Sequence, residues 1–170
     1  MAAYSRSQCR EWALQFLYQA EFVGSRSRED LDRFWGHFHP EGPGAPAYLR
    51  ELAAGVAAHQ EELDALIVRF SEHWRLERMT VVDRNLLRLS AYELLYQAKV
   101  PPKVVINEAV EMAKRYGSED SGAFINGILD QIRAGHEKQG PGVRDQGSVK
   151  GNLSPEITVP KSSKFKLNFS

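Results

Sequence analysis

Apolar residues recur along this chain at intervals of three and four, the spacing of a helix face. No segment shows the alternation or β-branched runs of strands. The pattern predicts a first helix over 5–22, opened by a capping box of Ser5 and Gln8, with Cys9, Ala13, Phe16, Leu17 and Ala20 on one face. A shorter helix follows Ser27, where Leu31, Phe34, Trp35 and Phe38 repeat with helical period. Residues 39–46 hold three prolines and two glycines and read as a surface loop. Tyr48, Leu49, Leu52, Val56, Leu63, Leu66, Ile67 and Phe70 then mark a long helix from Ala47, with a break near Gly55 or His59 left open. Thr80, with Asp83 three residues on, is an N-cap signal. The helix it opens, to about Lys99, is apolar on more than one face and is expected at the centre of the fold.

Pro101 and Pro102 end that helix and start the next, because proline suits a first helical turn but not an interior. Gly117 stops this fifth helix, and a last one over about 120–134 carries Phe124, Ile125, Ile128, Leu129 and Ile132. The expected class is all-α, with about seven helices. Residues 1–135 form the helical domain. Residues 136–170, rich in glycine and polar residues without periodicity, are expected to be disordered or loosely docked.

Composition narrows the partners. The 170 residues are 42% hydrophobic, enough for a core, and 26% charged. Twenty-two basic residues balance twenty-two acidic ones, but unevenly: residues 131–170 carry a net +4 and residues 1–130 a net −4. A mildly acidic body does not grip nucleic acid by general phosphate attraction, so any RNA binding needs a local site or a helping partner. One cysteine excludes a disulfide framework and Cys-based zinc sites. No apolar run approaches the roughly 20 residues of a membrane helix, and the first ten residues do not read as a signal peptide. The expectation is a soluble, cytoplasmic protein.

Catalytic chemistry finds little support. His37 and His39 lack a second ligand cluster and read as a solvated loop pair, and Cys9 reads as a small packed residue. No phosphate cradle or nucleophile elbow is present. Two features point to binding. Arg6 and Arg10, four residues apart, share a helix face and could straddle phosphates, although solvation explains such a pair as well. The stretch 117–127 would place free helix N–H groups, Ser118, Ser121 and Asn126 beside Phe124, a ring able to stack on an unpaired base. A capped helix with a core phenylalanine accounts for the same residues.

The order of motifs resembles the NusB family of bacterial transcription antitermination factors over about residues 8–132. The matching segments are CREWALQFLY at 9–18, LRELAAGVAAHQEELDALI at 49–67 and VDRNLLRLSAYELLY at 82–96. VPPKVVINEAVEMAKRYG at 100–117 and EDSGAFINGILD at 119–130 complete the series and are its most specific members. The resemblance implies two packed helical bundles and no enzymatic activity or cofactor. It also implies binding of boxA, a short single-stranded element of nascent, mainly ribosomal, transcripts. That binding is shared with NusE, a small-subunit ribosomal protein, within an antitermination complex on RNA polymerase. Carried over by position, it puts RNA contacts at Arg6, Arg10, Asp120, Ser121, Phe124 and Asn126. The arginines would meet phosphates, and Phe124 and Asn126 would meet bases. It puts the NusE face at Tyr18, Glu77 and Asp83, where acidic residues suit a basic partner.

Two departures matter. Only Arg6 and Arg10 stand where many relatives carry an arginine cluster, and Ala123 precedes Phe124 where a basic residue is common. Both take away a phosphate-binding side chain, so binding of RNA by this chain alone is expected to be weak. The resemblance leaves two other roles to be tested. One is a detached module like those that present substrate to RNA cytosine methyltransferases. The other is a homodimer that buries the arginine helix.

Overall fold

The computed structural model describes residues 3–72 and 74–139. Among these, six α-helices and one 3-10 turn account for all regular structure: α1 (Arg6–Val23), α2 (Arg28–Phe38), α3 (Ala47–Phe70), the turn Leu76–Arg78, α4 (Val81–Tyr96), α5 (Pro102–Tyr116) and α6 (Ser121–Gln139). Local chemistry explains most boundaries. Ser5 Oγ accepts the Gln8 amide at 3.1 Å while Gln8 Oε1 accepts the Ser5 amide at 2.9 Å, and Ser27 and Asp30 repeat this reciprocal cap at α2. Thr80 Oγ1 accepts the Asp83 amide and opens α4. Gly24, at φ 79°, takes the left-handed conformation that ends α1.

Helix α4 is the axis of the molecule. It packs against α1 and α3 on one side and α5 and α6 on the other, while α2 covers part of α3. These contacts make two bundles, α1–α3 and α4–α6, joined through α4. Residues 85–94 are buried without interruption, as its all-round apolar pattern implies. Around it lie Leu17, Leu49, Leu52, Leu63, Ile67, Ile125, Leu129 and Ile132, all fully enclosed.

The structure corrects three boundaries. Helix α3 has no break at Gly55 or His59. Gly55 serves close packing instead: a Cβ there would stand 2.0 Å from the Tyr92 ring, so its bare backbone lets α3 and α4 approach. Helix α4 stops at Tyr96 rather than Lys99, leaving a short turn before Pro101. Helix α6 runs through Gly135 to Gln139, so residues 136–139 are helical; the rest of the segment expected to be disordered lies outside the described residues.

Burying α4 on all sides forces charges inside. Arg88 donates to Asp64 at 2.6 and 3.0 Å and to Glu21 at 2.7 Å, and Arg84 donates to Glu21 at 2.9 Å. Burial alone would raise the Glu21 pKa, but the hydrogen bonds from Arg84 and Arg88 outweigh it and hold the carboxyl down to about 2. This network joins the C-terminal end of α1 to α3 and to the start of α4.

Candidate nucleic-acid interface

Side chains of α1 reach those of α5 along a strip that leads toward the start of α6. Ser7 donates to Glu108 at 2.7 Å; further along, Glu11 accepts from Arg115 and, at 3.4 Å, from the Tyr116 hydroxyl. The next residues, 117–121, form the turn into α6. Its geometry depends on Gly117, because a Cβ there would fall 2.5 Å from Ser121 Oγ and 2.7 Å from the Ala113 carbonyl. With that space open, Ser121 Oγ folds back to accept the Ser118 amide at 2.9 Å and meets Ser118 Oγ at 3.1 Å.

At the other end of the strip, Arg6 is exposed and holds its guanidinium 5.3 Å above the Tyr48 ring. Arg10 does not share that exposure, against the expectation that both arginines meet phosphate. Its Nε donates to both carboxylate oxygens of Glu93, at 2.8 and 2.9 Å, with side chains 3% and 1% exposed. Tyr48 also donates to Glu93. The physical reason is that α1 turns this position toward α4, whose buried Glu93 requires a cation. Glu93 thus holds both Arg10 and Tyr48, and the Tyr48 ring lies under Arg6.

The remaining expected RNA contacts divide. Asp120 and Asn126 are exposed, with Asn126 Nδ2 3.4 Å from Asp130. Phe124 is half-buried, one ring edge meeting Trp74 at 6.1 Å between centroids. Ser121, by contrast, is buried, and its hydroxyl accepts the Ser118 amide inside the turn.

The expected partner face divides too. Tyr18 is exposed with its ring tilted against that of Phe22, and Glu77 is exposed on the 3-10 turn. Asp83 is less accessible than its place at a helix start suggests. It is only 7% exposed in the first turn of α4, and one of its carboxylate oxygens has no hydrogen-bond partner. Glu21, one helical turn beyond Tyr18, is bonded to Arg84 at the start of α4, so Tyr18 and Glu77 occupy the same end of the molecule. Trp74, three residues before Glu77 in the chain, meets the Phe124 ring. Periodicity does not reveal it, because residues 72–78 carry no helical stripe; a tryptophan in such a turn is the one available signal. Of the other chemistry-bearing residues, His37 closes α2 rather than lying in the loop, and His39 stacks on Trp35 at 3.8 Å. The described residues contain no cluster suited to a metal ion. Cys9 is buried as a packed residue, with its thiol pKa pushed up by that burial.

Fold and corner together define a two-bundle, all-α protein with an exposed arginine at one end of a strip and a polar–aromatic helix start at the other. The NusB family model matches residues 7–134, and the chain belongs to the NusB family. It is 46% identical over 131 residues to the transcription antitermination protein NusB of Myxococcus xanthus, a match that covers 75% of this chain and 94% of that one. It is 49% identical over 128 residues to the protein of the same name from Sorangium cellulosum, covering 75% and 91%. Among solved structures, NusB of T. maritima superposes with a TM-score of 0.66 at 38% identity, covering 79% of this chain and 94% of that one. A structure of antitermination factors NusB and NusE in complex with dsRNA matches at 0.67 and 29%, covering 76% and 96%.

Proposed function

We propose that this chain is a non-enzymatic transcription antitermination factor. It binds a boxA-type single strand in nascent, mainly ribosomal, RNA together with NusE, and the pair helps RNA polymerase resist termination. The site is cytoplasmic and needs no cofactor. The observation that carries this reading is the corner at the start of α6. There the half-buried Phe124 ring, exposed Asp120 and exposed Asn126 sit at the end of the strip that begins with Arg6. An aromatic face and short polar side chains read bases whose edges are free, which favours a single strand over a duplex. In this arrangement Arg6 meets phosphate, Phe124 stacks on a base, and Asp120 and Asn126 hydrogen-bond to base edges. Tyr18 and Glu77 offer NusE an aromatic anchor and a negative charge, and the −4 body leaves much of the positive surface to that basic protein.

The test is a titration of a labelled boxA-type strand, a scrambled strand and a boxA duplex, each with NusE present, at several salt concentrations. Preference for the boxA single strand that survives high salt supports the reading. Equal binding of all three, vanishing together as salt rises, overturns it.

A further inference from the structure

We propose that Trp74 is a second base-stacking residue of this chain, working beside Phe124 at the seam between the RNA corner and the partner face. The proposal rests on the reading of Phe124 as an RNA contact and extends it to a residue on a different element. Three observations carry it. First, the indole is 55% exposed, an unusual position for a side chain that strongly favours burial. Second, it is not a stray surface ring. It meets Phe124 edge-on, 6.1 Å between centroids and 64° between planes, so two π-faces of differing orientation stand together.

Third, the backbone that carries it is held in place. The Trp74 amide donates to the Ser71 carbonyl at 3.1 Å, and the buried Ser71 hydroxyl lies 2.8 Å from the Trp74 carbonyl. Between them Glu72 adopts φ 56°, a left-handed conformation that strains a non-glycine residue. A turn that keeps such strain while leaving its tryptophan outside fits a ligand-facing role better than a packing one. Neighbouring nucleotides in an unpaired strand offer faces to both rings, and stacking of this kind is largely indifferent to base identity. Trp74 thus adds affinity without sequence information, which compensates for the uncharged Ala123 next to Phe124.

The experiment measures binding of a boxA-type strand and a scrambled strand, by fluorescence anisotropy with and without NusE, to the full chain and to Trp74→Ala, Trp74→Phe and Phe124→Ala. Thermal melting of each variant confirms folding. Trp74→Ala is expected to weaken both RNAs by a similar factor, about ten-fold, and Trp74→Phe to recover most of the loss. If Phe124→Ala weakens binding and Trp74→Ala does not, the inference fails while the proposed function stands. If neither does, both fail. A Trp74→Ala loss that appears only when NusE is present makes Trp74 a protein contact and overturns the stacking role.

Discussion

Replacing Arg10 by alanine should cost the protein stability before it costs RNA affinity. Arg10 and Glu93 form a two-pronged bond at 2.8 and 2.9 Å with almost no solvent contact. Removing the guanidinium leaves a buried carboxylate with the Tyr48 hydroxyl as its remaining short contact. Breaking such a pair from one side typically costs about 3–5 kcal/mol. For a helical body of this size, that lowers the melting temperature by roughly 10–20 °C. The pair itself is a poor source of net stability, because desolvating two charges consumes most of their attraction. Arg10 Nη2 is moreover buried without an acceptor. A triple change, Arg10→Met with Glu93→Leu and Tyr48→Phe, removes the charges and the orphaned hydroxyl together and should bring stability back to within about 1–2 kcal/mol of the parent. Urea unfolding and thermal melts of the parent, Arg10→Ala and the triple variant measure this directly. A stable Arg10→Ala protein that no longer binds RNA would refute the reasoning and return Arg10 to the phosphate-binding residues.

Three further predictions follow from other parts of the molecule. Gly55→Ala should destabilise by about 1–2 kcal/mol, because overpacking against the Tyr92 ring exceeds the roughly 1 kcal/mol gained in helix propensity; Gly36→Ala, with nothing within 4 Å of a new Cβ, should stabilise slightly in the same melts. Glu21, held at about 2 in the folded chain against an ordinary 4.5, contributes about 3 kcal/mol above pH 4.5 that disappears as pH falls toward 2. Acid titration of unfolding should show Glu21→Gln flattening that slope, and an unchanged slope would contradict the assignment. Arg6→Ala should leave melting unchanged while reducing the salt dependence of RNA binding by about 0.7 in log–log slope, the share of one phosphate contact on a single strand.

The helices are legible in the sequence because their period and caps are local. Ser5, Ser27 and Thr80 each accept the amide three residues on, and α4 is buried all round as its apolar pattern implies. What the sequence hides depends on which way a helix is turned. Arg6 and Arg10 are equivalent in spacing, yet one faces solvent and the other a carboxylate 83 positions away. Asp83 and Ser121 likewise look like surface residues at helix starts, until packing of the first turn encloses them. Phe124 is partly exposed, as stacking on a base requires, but its neighbour Trp74 comes from a turn whose position only the tertiary fold defines.

Joint recognition is most directly tested by the dissociation constant of a boxA-type strand for this chain, measured with and without saturating NusE. Because the chain exposes one arginine where a cluster would serve, the strand should bind weakly alone and about 5–150-fold more tightly with NusE present, the range of ordinary coupling between two sites. Equal affinity in the two titrations would contradict it.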